Sequence, residues 1–384
     1  MRIYLDNSAT TRQSDAVTAA VIKAVQEDYF NPSALYSPAF SAEKQVFAAR
    51  KAVAASLRAD EKNVIFTSGG TESDNLAVFG ALEAMHAPKE ILYSAAEHAA
   101  VKNACAEAAV RFGCVAHEIP LEKNGTLDLK AFEAMLTENT SLICVMQVCN
   151  ETGAVMQLNE VSSLRDRLAP KAHIHVDGVQ GYLRIPFYMS QTRVQSYALS
   201  GHKFHAPKGI GALVLANGGK VHRQLYGGGQ QGDLRSGTEN TPGILGLAEA
   251  VRTWPASGSE NMRALKQELI ARLRKALPET VLVGPEADSP LSAPHIISVA
   301  FPPVRAETLL HALEADEIYV GTGSACSSKK RKHSAVLAAM NCSPAVMDGA
   351  IRISLNPFIT MEEIEYTCDR IIEKVTLLRQ FERR

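Results

Sequence analysis

The sequence predicts an α/β protein, with a mainly parallel central sheet covered by helices on both faces and a smaller α+β domain attached. Two observations carry that prediction. Six short β-rich runs, at 64–68, 91–95, 141–148, 173–177, 196–200 and 211–216, are mostly separated by helix-length segments, the alternation expected of a parallel sheet. After a composition break at Trp254–Pro255–Ala256–Ser257–Gly258 the pattern changes to long helices around one strand, IISVAF. The expected division is a large domain over residues 14–255 and a small one built from 1–13 plus 256–384. A chain of 384 residues can bury a sizeable core without disulfide or metal staples.

In chain order, Ser14–Glu27 and Ser41–Leu57 carry apolar residues at helical spacing behind a serine suited to N-capping. The run VIFTS leads into Thr67–Ser68–Gly69–Gly70–Thr71–Glu72–Ser73–Asp74–Asn75, which reads as a strand, a glycine turn and a helix start, with Thr71 and Asp74 placed as N-cap and N3. Glycines let a backbone approach a ligand closely, and the open N–H groups of a first turn attract anions, so a phosphate fits there. The run HIHVD ends in Asp177, at a strand end where α/β sheets gather ligands; its alternative duty is to cap the following turn. His173 and His175, two apart on one strand face, read as packing residues, and no metal site is suggested. Ser200–Gly201–His202–Lys203 closes the next strand. A lysine at a strand-end turn, partly desolvated, is suited to nucleophilic use, including a Schiff base. Past the break, Met262, Leu265, Leu269, Ile270, Leu273 and Leu277 line one long helix. The last helix begins at Thr360, with Glu363 completing a capping box.

Composition narrows the partners. The 40 basic and 41 acidic residues leave a formal net charge of −1, so no whole-chain field favours nucleic acid or an anionic membrane. Seven cysteines form an odd set without a C-x-x-C pair, which suggests neither a disulfide framework nor a zinc knuckle. The N-terminus lacks a secretory pattern and no apolar run has membrane-spanning length, so a cytoplasmic location is expected. Cys326 alone lies in a run of small residues, Gly321–Thr322–Gly323–Ser324–Ala325–Cys326–Ser327–Ser328, the composition of a loop and not of a packed interior.

Ten motifs in order, YLDNSATT (4–11), FTSGGTESDN (66–75), EHAAV (97–101), CNETG (149–153), HVDGVQ (175–180), SGHK (200–203), PKGIGAL (207–213), GGGQQGDLRSGT (227–238), GTGSACSS (321–328) and IRISL (351–355), span almost the whole chain. Together they resemble the NifS-like cysteine desulfurases of the class V aminotransferase group. The resemblance implies a pyridoxal 5′-phosphate (PLP) enzyme of the aspartate-aminotransferase-like fold, working as a homodimer. It makes Lys203 the lysine that carries the cofactor, pairs Asp177 with the pyridinium nitrogen, stacks His98 on the ring, and sets Gln180 and Asn150 near the phenolic oxygen. Gly70, Thr71, Ser200 and His202 would hold the phosphate, joined by Thr238 of the partner subunit. Arg352, with Asn150, would bind the substrate. The reaction implied is L-cysteine to L-alanine, with Cys326 taking the sulfur as a persulfide for an acceptor in iron–sulfur cluster assembly or tRNA thiolation. His98 is the further catalytic candidate, since histidine titrates near neutrality.

The sequence departs from the group's usual pattern at Tyr36, Gln147, Cys149 and Ala206, and in the charged run Lys329–Lys330–Arg331–Lys332–His333 beside the cysteine loop. That run suits an acidic acceptor or a tRNA-modifying partner, or is a solvated loop end. The chain ends at Arg384 without the C-terminal extension through which housekeeping members engage a scaffold, which leaves the acceptor open. Selenocysteine lyase, a related class V aminotransferase and a catalytically silent interaction protein of the same fold are the competing readings.

Overall fold

A computed structural model describes residues 2–322 and 333–382. Strand β1 (Ile3–Tyr4) is followed by seven strands of one sheet: β2 (Val64–Thr67), β3 (Glu90–Ser94), β4 (Val115–Ile119), β5 (Thr140–Cys144), β6 (His173–Asp177), β7 (Ser196–Ser200) and β8 (Gly211–Leu215). Their order is β2-β8-β7-β6-β5-β3-β4, and only β8 runs against its neighbours. The parallel character expected from the sequence therefore holds, with β8 folded back between β2 and β7. The edge strand β4 carries no apolar run that would mark it in the sequence, since three of its five residues are exposed.

Alternation along the strands fills both faces, as a pleat of period two requires. Ile65, Leu142, Ala198 and Leu213 join one core with Leu76, Ala77 and Val101, which belong to helices α3 (Gly70–Glu83) and α4 (Ala99–Phe112) described with α1 (Asp15–Gln26) and α2 (Ser37–Ser56). Phe66, Ile143, Tyr197, Ala212 and Val214 point the other way, into a core shared with Val17 of α1 and Val46 and Val53 of α2. A separate core collects Ile3, Leu5, Met262, Leu265, Leu269, Leu273, Ile297, Ile353 and Ile371. It lies against a four-stranded antiparallel sheet of β9 (Val281–Leu282), β10 (Ile296–Ala300), β12 (Gly321–Thr322) and β13 (Ala350–Ser354), while β11 (Ile318–Tyr319) pairs with β1. None of the helices among the described residues is long and apolar enough to cross a membrane.

The helix boundaries refine the expectations. Ser14 caps α1, its Oγ accepting from the Val17 N–H. By contrast α2 starts four residues earlier than the spacing suggests, at Ser37, because Pro38 sits in its first turn, where a missing N–H costs nothing. The long helix Gly258–Ala276 buries Met262, Leu265, Leu269, Ile270 and Leu273. The box at Thr360 forms: Glu363 Oε2 accepts from the Thr360 N–H at 2.8 Å, and Thr360 Oγ1 accepts from the Glu363 N–H at 3.2 Å.

Candidate functional site at the carboxyl edge of the large sheet

Strands β2, β6 and β7 run in the same direction, so Thr67, Asp177 and Ser200 end on one edge of the sheet. The turn after β2 meets the turn after β7 there. Gly69 has φ +154°, and a Cβ on Gly70 would lie 2.8 Å from Val179 Cγ2 and 3.4 Å from Ser200 Cβ. A glycine at 70 lets the helix start close on Val179 of the turn after β6, where a Cβ would clash. Helix α3 starts at Gly70 with Gly69 as its N-cap and no side-chain acceptor over its first turn; the Thr71–Asp74 cap expected from spacing does not form. Thr71 is exposed at that turn and Ser200 is buried beside it.

Asp74 instead points inward, where His175 Nε2 lies 3.1 Å from its Oδ1. His175 Nδ1 is 2.9 Å from Ser196 Oγ, and His173 Nε2 is 2.7 Å from the same oxygen. All four side chains are buried. Burial pushes Asp74 up to about 8 and holds His175 down to about 4 and His173 to about 3. A protonated Asp74 therefore donates to His175, His175 Nδ1–H donates to Ser196, and the Ser196 hydroxyl donates to His173. The reading of the two histidines as packing residues holds, but what they pack is a polar chain beneath Asp177. The sequence signal for it was the run H-x-H-x-D; its partner Asp74 lies about a hundred residues earlier.

Asp177 is buried, its Oδ1 accepts from the Val179 N–H at 2.9 Å, and burial followed by the nearby Asp74 raises its pKa to about 7. It caps the following turn, one of the two duties the sequence allowed. Glu97, also buried, sits in the same field, its pKa raised well above the usual carboxylate range by burial and then by Asp177. One Glu97 oxygen accepts from the Met146 N–H and the other has no partner. Next to it His98 is exposed and caps α4, its Nδ1 accepting from the Ala100 N–H at 3.2 Å.

Lys203 ends the short 3-10 turn Gly201–Lys203. Its Nζ donates to the carbonyls of Ser8 at 2.6 Å and Ala9 at 2.9 Å, and Gln180 Nε2 donates to the Ser8 carbonyl at 3.0 Å. Two predicted residues from different turns thus converge on the N-terminal segment. That segment spans the two sheets: Asn7 Nδ2 donates to the Ser354 carbonyl at 2.8 Å, and Thr11 N–H to the His202 carbonyl at 2.8 Å. His202 Nδ1 lies 3.1 Å from Thr10 Oγ1; burial, then Lys203 and Lys208, lower its pKa to about 4. Arg352 on β13 is buried; its Nη2 pairs with Asp6 at 2.7 Å and its Nη1 donates to the Asn150 carbonyl at 3.1 Å. Asp6 and Ser8 lie in the YLDNSATT motif, and nothing in their spacing shows that they meet Arg352 and Lys203.

Thr238 is exposed. Its loop is tied to its own chain by Arg235 Nε to Glu72 Oε1 at 2.7 Å and by Gly237 N–H to Gln230 Oε1 at 2.9 Å. Cys326 and Lys329–Lys332 lie outside the described residues; the six other cysteines are free, four of them buried.

These residues fit pyridoxal phosphate. Gln180 Oε1 and Ser8 Oγ are buried without a partner, an uncapped helix start faces Ser200 across glycines, and an acid and an amine border the same edge. A site of this make-up suits an enzyme that uses a phosphorylated aldehyde cofactor at a sheet edge. The model of the aminotransferase class V family matches residues 3–367, and the chain belongs to that family, whose members use PLP. It is 35% identical over 373 residues to a cysteine desulfurase of Cereibacter sphaeroides, covering 97% of this chain and 94% of the relative. To the cysteine desulfurase NifS of Azotobacter vinelandii it is 34% identical, covering 97% and 91%. A solved structure titled NifS-like protein superposes with a TM-score of 0.90 at 31% identity, covering 98% of this chain and all of the other.

Proposed function

We propose that this chain is a PLP-dependent cysteine desulfurase that converts L-cysteine to L-alanine and passes the sulfur, as a persulfide on Cys326, to an acceptor. The observation that carries the reading is the convergence of Lys203 and Gln180 on the Ser8 carbonyl, beside Asp177, in a chain resembling cysteine desulfurases over nearly its full length. When bound, PLP supplies an electron sink that loosens bonds at the substrate Cα and weakens Cβ–Sγ.

The protein's own groups do the rest. Thr71, Ser200, His202 and the α3 N-terminus hold the phosphate, with Thr238 reaching a partner subunit's site. Asp177 holds a proton on the ring nitrogen, for which its pKa of about 7 suits it as the acceptor of a charge-assisted hydrogen bond. Asn150 and Gln180 orient the ring oxygen, and Arg352 takes the substrate carboxylate in a bidentate fork. Lys203 Nζ removes the Cα proton and later returns one, with His98 placed to move a proton at the open face. The Cys326 thiolate attacks the substrate Sγ. As the S–S bond forms, Cβ–Sγ breaks, its electron pair stays on Cβ, and Cβ is protonated on the way to alanine.

A homodimer is supported by Phe40 and Phe47 on α2 and Tyr36 at its start, large apolar side chains left exposed on a helix whose Val46, Ala49 and Val53 are buried in the core, and by the exposure of Thr238. A cytoplasmic location and an acceptor in iron–sulfur cluster assembly or tRNA thiolation complete the proposal, as does the division into a large domain at 14–255 and a small one at 1–13 and 256–384. The test is alanine and persulfide formation from cysteine by the parent, Lys203→Ala and Cys326→Ala. The parent is expected to form both and neither variant to sustain turnover. Sulfide and persulfide release by either variant at the parent rate refutes the scheme, and a preference for selenocysteine or a keto acid selects a competing activity.

A further inference from the structure

We propose that Arg184 is the positioning residue for Lys203: its guanidinium fixes the turn that presents the amine, and its buried positive charge keeps that amine in the uncharged form that attacks a carbonyl carbon. The proposal rests on the reading of Lys203 as the cofactor-bearing lysine. Arg184 is 2% exposed and is among the largest fully buried side chains of the protein. Its Nη2 donates to the backbone carbonyl of Lys203 itself. Nε and Nη1 have no hydrogen-bond partner, and none of the ion pairs among the described residues includes it. Its guanidinium carbon lies 5.5 Å from the centre of the Trp254 ring, and its own backbone carbonyl accepts from Ser259 Oγ at 2.8 Å.

A buried guanidinium without a carboxylate is costly, and a chain that keeps one keeps it against that penalty. Burial lowers Arg184 only to about 10, so it stays charged at neutral pH. Its charge already reaches its neighbours, helping to hold His205 and His295 in their neutral forms. The remaining titratable and charged groups around the turn are His202, His205 and Lys208 beside Lys203, Asp177 and His175 on β6, Tyr197 on β7, His98 at the α4 cap, and the Asp6–Arg352 pair. Among these the carboxylates of Asp177 and Asp6 carry the sign that favours a protonated amine; the Arg184 guanidinium, hydrogen-bonded to the Lys203 carbonyl, carries the opposite sign. A lysine attacks a carbonyl only after losing its proton, and a nearby cation promotes that loss. At an effective dielectric of about 20, two unit charges about 8 Å apart interact by about 2 kcal/mol, which corresponds to about 1.5 pH units.

The test is a pH titration of the visible absorbance of the full chain loaded with PLP, together with the rate at which the cofactor-free protein takes up added PLP. Arg184→Met and Arg184→Gln are expected to raise the midpoint by about 1.5 pH units and to slow uptake at neutral pH about tenfold or more. Glutamine retains a donor for the Lys203 carbonyl, so its shift reports the charge even where methionine impairs folding. Arg184→Lys, which keeps the charge, is expected to stay within about half a unit of the parent. Midpoints of Arg184→Gln and Arg184→Met that match the parent overturn the proposal, as does Arg184→Lys shifting as far as Arg184→Gln. A parent protein with no borohydride-sensitive absorbance after addition of PLP overturns the functional reading, and the proposal with it.

Discussion

Replacing Ser196 by alanine removes one oxygen from the centre of the chain Asp74–His175–Ser196–His173. The parent oxygen sits 2.7 Å from His173 Nε2 and 2.9 Å from His175 Nδ1, and all the groups involved are buried. Alanine fits the same space, so no packing loss accompanies the change. What is lost is two hydrogen bonds, and what remains is two imidazole nitrogens sealed from water. At about 1 to 2 kcal/mol for each orphaned group, the loss is about 2 to 4 kcal/mol. An entropy of unfolding near 2.1 cal/mol/K per residue makes about 0.8 kcal/mol/K for a chain of this length, so Tm falls by about 3 to 5 °C. The assay is thermal unfolding followed by circular dichroism, parent against variant, at neutral pH. A fall of less than about 1 °C refutes the bonded chain, because a serine that bridges nothing is replaced by alanine at almost no cost.

Three further outcomes are expected. Asp74→Asn retains a donor for His175 and cannot ionise; the parent Asp74, raised to about 8 in the folded state, is stabilising while protonated and loses that contribution as pH rises from its unfolded value through about 8. The Tm advantage of the variant therefore grows between pH about 5 and about 8, and a constant difference refutes the assignment. Arg352→Met is expected to raise KM for cysteine about a hundredfold while the absorbance of bound PLP is unchanged; an unaltered KM removes Arg352 as the carboxylate fork. Gly153→Ala places a Cβ 2.9 Å from the Ile296 carbonyl oxygen at a φ of +74°, and a loss of about 2 to 4 kcal/mol in thermal or urea unfolding is expected; a loss below about 0.5 kcal/mol would mean that the Asn150 turn yields freely.

The α/β class, the run of parallel strands and the long second-core helix follow from local apolar spacing, which is a property of neighbouring residues and therefore legible in one dimension. The N-cap of α1 and the box at Thr360 are legible for the same reason. The start of α3 was not: Thr71 and Asp74 have cap spacing, yet Asp74 finds a better partner in His175, and the tertiary contact overrides the local rule. The edge strand β4 escaped because exposure removes the apolar signal.

At the site, the sequence by itself determined which residue types are present and, through ten ordered motifs, the family pattern they match. Lys203, Asp177, Gln180 and Arg352 were all named that way. Only the tertiary structure decided what each of them touches. The Lys203 amine and Gln180 share the Ser8 carbonyl, Arg352 pairs with Asp6, and Arg184 reaches back to the lysine backbone, contacts spanning 195, 172, 346 and 19 positions. Patterning constrains which face of an element a residue occupies. A charge or a hydrogen bond acts over a few ångströms of space, and which distant residues share those ångströms is fixed only when the sheet edge and the N-terminal segment close on one another.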